Sequence, residues 1–310
     1  MNAPIGNRDS FAERVLASQG ASAPQSMPQS TPHGGKLIGA ILMDEGRLSI
    51  EDTEKVLLLA ERKGLRFGEA AKALKMLSED DIQFALARQF DYFRVTPGHS
   101  TLSGELIAAY DPDSVAAEGL RALRSQLMLR WFGASALHQT LAIVSADRGE
   151  GRSWLAANLA IVFSQLGERT LLIDADLRNP RQHGLFGIDN STGLSTLLTG
   201  RRAENCIQSI PQLRDLSILP AGMLPPNPQE LLSRPFFDLS LAGLRKQYDV
   251  ILMDTPAASL NADAQTIAAR AGCALLVTQK DASRAASIRR VLSDMRETGA
   301  QVVGSIISKH

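Results

Sequence analysis

A chain of 310 residues, 44% hydrophobic, with 33 acidic and 33 basic side chains, is long enough for one large or two modest domains. Zero formal net charge excludes a dedicated nucleic-acid binder, which needs surplus Lys and Arg to displace phosphate counterions. Two cysteines, Cys206 and Cys273, are too few for a disulfide framework or zinc site, and apolar runs such as 141–144 and 274–277 fall far short of the roughly 18 residues of a membrane span, so a cytoplasmic chain with reduced thiols is expected.

Residues 1–35 are expected to be a disordered tether. The stretch 20–35, GASAPQSMPQSTPHGG, has three prolines and four Ser or Thr, and buries too little to offset its ordering entropy. Residues 36–93 read as a small all-α domain of about four helices: Leu37, Ile38, Ile41 and Leu42 keep helical spacing, and Ser49 and Ser78 stand as N-caps before acidic residues. Its two halves repeat loosely. Residues 94–113, with Pro97, Gly98 and the Asp111-Pro112-Asp113 turn, read as a linker.

From 114 to 310, aliphatic runs alternate with amphipathic stretches: LAIVS (141–145), TLLID (170–174), LSILP (216–220), DVILMD (249–254), CALLVT (273–278) and VVGSIIS (302–308). Near-continuous aliphatic strands are buried on both faces, which predicts a doubly wound α/β domain with a parallel sheet flanked by helices.

The first run leads into Ala146-Asp147-Arg148-Gly149-Glu150-Gly151-Arg152-Ser153-Trp154 and then a helical segment. Strand, Gly-rich turn and helix is the setting of a phosphate loop: backbone N–H groups turn inward, the helix dipole adds positive charge, and Ser153 can ligate Mg²⁺. Ala146 replaces the usual first glycine and Arg152 the usual lysine. Two further strands end in Asp174-Ala175-Asp176 and in Asp254-Thr255-Pro256, carboxylates at the edge where such sheets bind ligands. There they hold Mg²⁺, orient a nucleophile or take its proton.

Over residues 104–308 these motifs resemble the bacterial tyrosine kinases of capsule and exopolysaccharide export, most nearly the chain-length-determinant (EpsG-type) branch. Ser145–Ser153 looks like their Walker A loop, Leu171–Arg178 like their second, Asp-x-Asp-bearing Walker motif, and Ile251–Pro256 like their Walker B. The segments Asn179-Pro180-Arg181, Gly193-Leu194-Ser195 and Leu219–Leu232 are similar too. The resemblance implies a P-loop NTPase-type fold and Mg²⁺-ATP as phosphate donor to protein tyrosine. It implies Asp174 and Arg152 as catalytic groups, and Arg148, Gly149, Glu150, Gly151, Arg152, Ser153 and Trp154 around the nucleotide. Ser153, Asp176 and Asp254 would hold the metal. Glu118, Arg121 and Arg124 match the Glu-x-x-Arg-x-x-Arg helix of subunit rings, which implies a homo-oligomer. A membrane-embedded, Wzz-like chain-length protein is the implied partner, recruiting the chain to the inner face of the plasma membrane.

Leu37–Gln89 resembles the N-terminal domain of type II secretion and pilus ATPases, a subset of which bind cyclic di-GMP through tandem motifs. The second half keeps Arg66, Phe67, Gly68, Ile82, Leu86 and Gln89, while Ala71 and Lys75 depart. The first keeps Ile38, Gly39, Leu42, Gly46 and Leu57, with Leu37 and Ala60 in place of the motif's arginine and glutamine. Cyclic di-GMP binding and protein docking are the two expectations for this domain.

Two departures bear on activity. A planar guanidinium does not replace a compact ammonium conservatively at a crowded phosphate site. The tail ends in Ser308-Lys309-His310 without the tyrosine cluster of relatives, leaving Tyr92, Tyr110 and Tyr248, of which Tyr110 is expected to be most accessible. The alternatives are a non-catalytic scaffold that nucleotide orders, and a positioning ATPase, whose extra loop lysine is here Asp147.

Overall fold

The computed structural model describes residues 38–308 apart from 80, 83–84, 87–94, 96–99 and 201–205, so the expected tether, Tyr92 and Gln89 lie outside the described residues. The chain divides into two compact units, 1–90 and 91–310. Among the described residues no helix is long and apolar enough to cross a membrane.

The first unit contains helices α1 (Ile38–Asp44), α2 (Ile50–Lys63) and α3 (Phe67–Ala73), followed by helical residues near Ile82. Its core is Ile41, Leu42, Leu48, Val56, Ala70, Ala71, Leu77, Ile82 and Ala85. The internal repeat is visible in the turns. Ser49 Oγ accepts from Asp52 N–H at 3.1 Å, and Ser78 Oγ accepts from Asp81 N–H at 3.1 Å. Before these caps, Gly46 (φ 68°) and Lys75 (φ 56°) take the same left-handed position. Only the first half has the residue that this backbone favours. Lys75→Gly is therefore expected to stabilise the unit by about 1 kcal/mol, less whatever extra freedom glycine gives the unfolded chain. A denaturation curve of the full chain that is unchanged or shifted down would contradict this.

Other repeat residues serve the unit's own packing. A Cβ at Gly39 would meet the Phe67 ring at 3.2 Å, and one at Gly68 would meet Ile82 at 3.2 Å. Arg66 caps α3, its N–H bonded to Glu69 Oε2 at 3.0 Å.

The second unit is built on a seven-stranded sheet. Its strands are β1 (Thr140–Ser145), β2 (Thr170–Asp174), β3 (Gln208–Ser209), β4 (Leu216–Leu219), β5 (Val250–Asp254), β6 (Cys273–Gln279) and β7 (Gln301–Ser308), in the order β3-β4-β2-β5-β1-β6-β7. All neighbours run parallel except β3, a two-residue antiparallel edge that its polar sequence did not announce. The six aliphatic runs are the six parallel strands. Helices cover both faces, giving one core under α4 (Ile107–Tyr110), α5 (Val115–Leu127) and α6 (Arg152–Ser164), and a second under α11 (Asp263–Ala271) and α12 (Ala285–Glu297). Between them lie α7 (Gln182–Phe186), α8 (Leu194–Leu198), α9 (Pro228–Leu232) and α10 (Phe236–Leu244).

The segment expected as a linker, 94–113, is folded into this core where it is described. Val95, Leu102, Leu106, Ala108 and Ala109 are buried. Asn158, in the middle of α6, accepts from Ala108 N–H at 3.0 Å and donates to Glu105 O at 3.1 Å. Leaving such buried partners unpaired costs about 1–3 kcal/mol each, so one side chain pins the segment. Asp111-Pro112-Asp113 turns the chain only at the end of this segment, before α5. Tyr110, expected to be accessible, is half-buried against the same core and donates its hydroxyl to Leu102 O at 2.8 Å.

Candidate functional site

Strand alternation decides which way the acidic strand ends face. Leu172 on β2 and Leu252 on β5 enter the core beneath α6, so Asp174 and Asp254, two residues on, share that face and are register partners. Both are completely buried. The loop between β1 and α6 passes over them. Gly149 (φ 80°) and Gly151 (φ 91°) adopt the left-handed backbone that turns the loop inward, and α6 starts at Arg152.

The pocket at this edge, about 320 Å³, is lined by Arg148, Gly149, Gly151, Arg152, Ser153 and Trp154 on the loop side. Asp176, Arg178, Asn179 and Arg181 line it from the β2 end, and Pro256, Ala257, Leu260 and Asn261 from the β5 end. Six of the seven expected nucleotide residues are thus brought together. Glu150 is the exception. Its carboxylate is buried and braces the loop, accepting from Asp147 N–H at 2.8 Å and from the Ser283 hydroxyl, so only its main chain is available to a phosphate.

Arg152 is 8% exposed and committed to protein acceptors. Its Nε donates to Thr255 O at 2.9 Å, and its Nη1 to Asp147 O at 2.7 Å and to Ser145 Oγ. The guanidinium therefore ties the loop to the end of β5.

The two carboxylates after β2 differ. Asp176 is 7% exposed, lines the pocket, and accepts at Oδ1 from Arg178 N–H (3.1 Å) and Asn179 N–H (2.9 Å). Asp174, expected as the catalytic carboxylate, is sealed beneath it and is not a lining residue. Its Oδ2 accepts from Arg181 N–H (3.0 Å) and Gln182 N–H (2.9 Å), and its Oδ1 from Asp176 N–H at 3.3 Å. Burial, then the Asp254 charge, pushes the Asp174 carboxyl well above the ordinary range, against the backbone donors that lower it. Asp254 is pushed up to about 6, chiefly by burial and also by Asp176, while the amide of Gln182, the nearby hydroxyl of Ser153 and the charge of Arg152 pull it down.

Asp254 also offers an oxygen that would suit a cation. Oδ2 accepts from Gln182 Nε2 at 2.7 Å, but the buried Oδ1 has no partner. An unpaired buried carboxylate oxygen is costly, and a hard divalent cation with oxygen ligands satisfies it. Among the described residues no three acidic, His or Cys side chains converge into a metal cage. Mg²⁺ is commonly held by one or two carboxylates, with phosphate, water and other oxygens completing its shell. Ser153, Asp254 and Asp176 are the residues that would hold it.

Gln182 went unnoticed in the sequence. It carries no charge and belongs to no motif, and only its place just after Asn179-Pro180-Arg181 hinted at it. Arg178, the last residue of the Asp-x-Asp motif, forms a two-pronged pair with the buried Asp263, at 2.7 and 3.3 Å.

Within the single chain, the arginines of the expected ring helix, α5, make bonds of their own. Arg124 Nη1 donates to Val162 O at 2.7 Å, anchoring α5 on α6. Arg121 bonds Pro112 O at 2.7 Å and pairs with Glu118 one turn back. An Arg reaches carbonyls 38 and 9 residues away that no local spacing reveals. Of the three expected interface residues, only Glu118 stands in solvent.

Comparison with known proteins agrees with this fold. The family model described as cellulose biosynthesis protein BcsQ matches residues 139–297. Tyrosine-protein kinase YwqD of Bacillus subtilis is 34% identical over 217 residues, covering 68% of this chain and 90% of that protein. Tyrosine-protein kinase wzc of Salmonella typhimurium is 32% identical over 204 residues, covering 66% of this chain and 28% of that protein. The kinase domain of Escherichia coli tyrosine kinase ETK is similar with a TM-score of 0.62 and 30% identity, over 66% of this chain and 79% of that one. The chain thus spans only about a quarter of the length of the long relatives.

Proposed function

The chain belongs to the bacterial tyrosine-kinase family, whose P-loop fold the BcsQ family shares, and on that premise we propose that it binds Mg²⁺-ATP at this pocket, transfers the γ-phosphoryl group to protein tyrosine, and so regulates exopolysaccharide chain length and export. The observation that carries the reading is the buried Asp174–Asp254 pair beneath a glycine-turned loop, with Asp254 Oδ1 unpartnered. Backbone N–H groups of 149–153 and the N-terminus of α6 hold the phosphates. Ser153, Asp176 and Asp254 would hold the Mg²⁺, which would supply neutralisation of the phosphate charge. Asp174 takes the tyrosine proton at Oδ1, its less committed oxygen, which requires the Asp176 segment that covers it to move aside when the substrate binds. Arg152 restrains the loop.

The test is to incubate the purified chain with Mg-ATP, with and without the cytoplasmic segment of a membrane-embedded chain-length protein, following phosphotyrosine and free phosphate together. Asp174→Asn is expected to lower transfer at least about 100-fold with nucleotide affinity held within about threefold. Asp176→Asn, at the pocket wall, is expected to weaken Mg²⁺-dependent binding as well. An Asp174→Asn variant as active as the parent ends that assignment. Self-association into a ring, if it uses α5, rests on Glu118 and on Val115, which is 92% exposed.

A second reading is favoured by one observation, the three bonds that occupy Arg152. In it the nucleotide orders the chain as a scaffold of the export machinery and no phosphoryl group moves. Binding of Mg-ATP with no phosphate transferred, even with the partner segment present, selects it.

A further inference from the structure

We propose that Gln182 is a positioning residue that sets the spacing of the cation site, an inference that rests on the Mg²⁺-nucleotide reading above. Its side chain is completely buried, and its carboxamide joins two elements that each supply a ligand. Nε2 donates to Asp254 Oδ2 at 2.7 Å, at the end of β5, and to Ser153 O at 3.1 Å, in the first turn of α6. Both Nε2 protons are thereby used. The backbone N–H of the same residue is held by Asp174 Oδ2 at 2.9 Å, so the amide cannot drift from the strand ends.

The consequence for Asp254 is specific. With Oδ2 taken by the amide, Oδ1 is the one carboxylate oxygen left, and it has no partner. The Gln182 Oε1 is also buried without a partner. Two uncommitted oxygens on adjoining side chains suit a hydrated divalent cation: one would ligate it, and the other would accept a hydrogen bond from a water in its shell. A carboxamide is the fitting side chain because it donates to one group and accepts from another. A carboxylate would repel Asp254, and an alkyl chain would free Oδ2 and let the Asp254 carboxylate turn.

The experiment compares the parent with Gln182→Met and Gln182→Glu. The affinity for a fluorescent ADP analogue is measured at increasing Mg²⁺, and again in EDTA. Direct Mn²⁺ binding is followed by its paramagnetic signal. Outer-shell groups of this kind govern metal affinity by about 10–100-fold. Gln182→Met, which preserves volume, is expected to need about 10–100-fold more Mg²⁺ for the same nucleotide affinity, with binding in EDTA unchanged within about twofold. Gln182→Glu is expected to lose nucleotide affinity in EDTA as well, because a further negative charge beside Asp254 and the first turn of α6 makes the site less favourable to anionic phosphates.

Parent-like Mg²⁺ dependence in Gln182→Met overturns the role of Gln182 and leaves the site reading intact. Equal loss with and without Mg²⁺ in that variant also overturns it, since that is the mark of general structural damage. A parent whose nucleotide binding ignores Mg²⁺ overturns the site reading itself and the Gln182 role with it.

Discussion

Asp254→Asn is expected to raise the melting temperature of the metal-free chain at pH 8 by several degrees, by about half as much at pH 5, and hardly at all below pH 4. The folded-state pKa of Asp254 lies at about 6 against an ordinary value of 3.8, so folding disfavours its charged form. The sign follows from linkage. A group whose folded pKa is raised leaves stability intact below about pH 4 and withdraws it as pH rises through 6. A shift of about two units corresponds to about 3 kcal/mol once the group is ionised, to order of magnitude. A unit of this size gains about 2–4 °C per kcal/mol, so the gain at pH 8 is about 6–12 °C. The asparagine oxygen still accepts from Gln182 Nε2, so the swap removes charge and keeps that bond. Mg²⁺ with nucleotide should reverse the order. The parent gains about 2.7 kcal/mol at a hundredfold excess of ligand over Kd, whereas the variant, lacking the charge that draws the cation, gains little. Thermal melts at pH 5 and 8, in EDTA and in Mg-ADP, give all four values. Equal melting temperatures of parent and variant in EDTA at pH 8 would refute the argument. The prediction describes a site whose buried charge is tolerated for what it binds.

The sheet was legible because buried parallel strands leave an unmistakable sequence pattern. Leu171, Leu172 and Ile173 point alternately into two cores, so every position must be apolar until Asp174 breaks the run at the edge. The break is itself the signal, and the same holds for Met253 followed by Asp254. What escaped were interactions that run between distant parts of the chain. Asn158 reaches the Glu105 carbonyl, Arg124 the Val162 carbonyl, and Gln182 both Ser153 and Asp254. A backbone carbonyl is present at every residue, so no composition or spacing marks the one that a side chain will find. The small helical unit shows the same division. Its serine caps act three residues away and were readable, whereas Phe67 and Ile82 look like motif residues for a ligand until their packing against Gly39 and Gly68 is seen.

Arg152→Lys is expected to raise the rate of phosphoryl transfer about 10–100-fold while nucleotide affinity changes by less than about threefold. The parent guanidinium forms three bonds, to Thr255 O, Asp147 O and Ser145 Oγ, and lies almost wholly out of solvent. A bond from a charged donor contributes about 1.5–3 kcal/mol, so pulling the fork away to meet a developing charge costs more than one factor of ten in rate. Leaving it where it is misplaces the positive charge, and about an ångström of misplacement suffices for a 100-fold loss. A lysine has three rotatable donors and no planar fork, so it can share its bonds between the loop carbonyls and a phosphate oxygen. Affinity moves little because the phosphates rest mainly on backbone N–H groups, which the exchange leaves in place. Single-turnover assays with Mg-ATP and the partner segment separate the two quantities. A lysine variant slower than the parent would mean that the guanidinium itself stabilises the transferring group, and Arg152 would then regain a catalytic role. If parent and lysine variant both bind Mg-ATP and neither moves phosphate, Arg152 is not what limits the chain, and the scaffold reading is preferred.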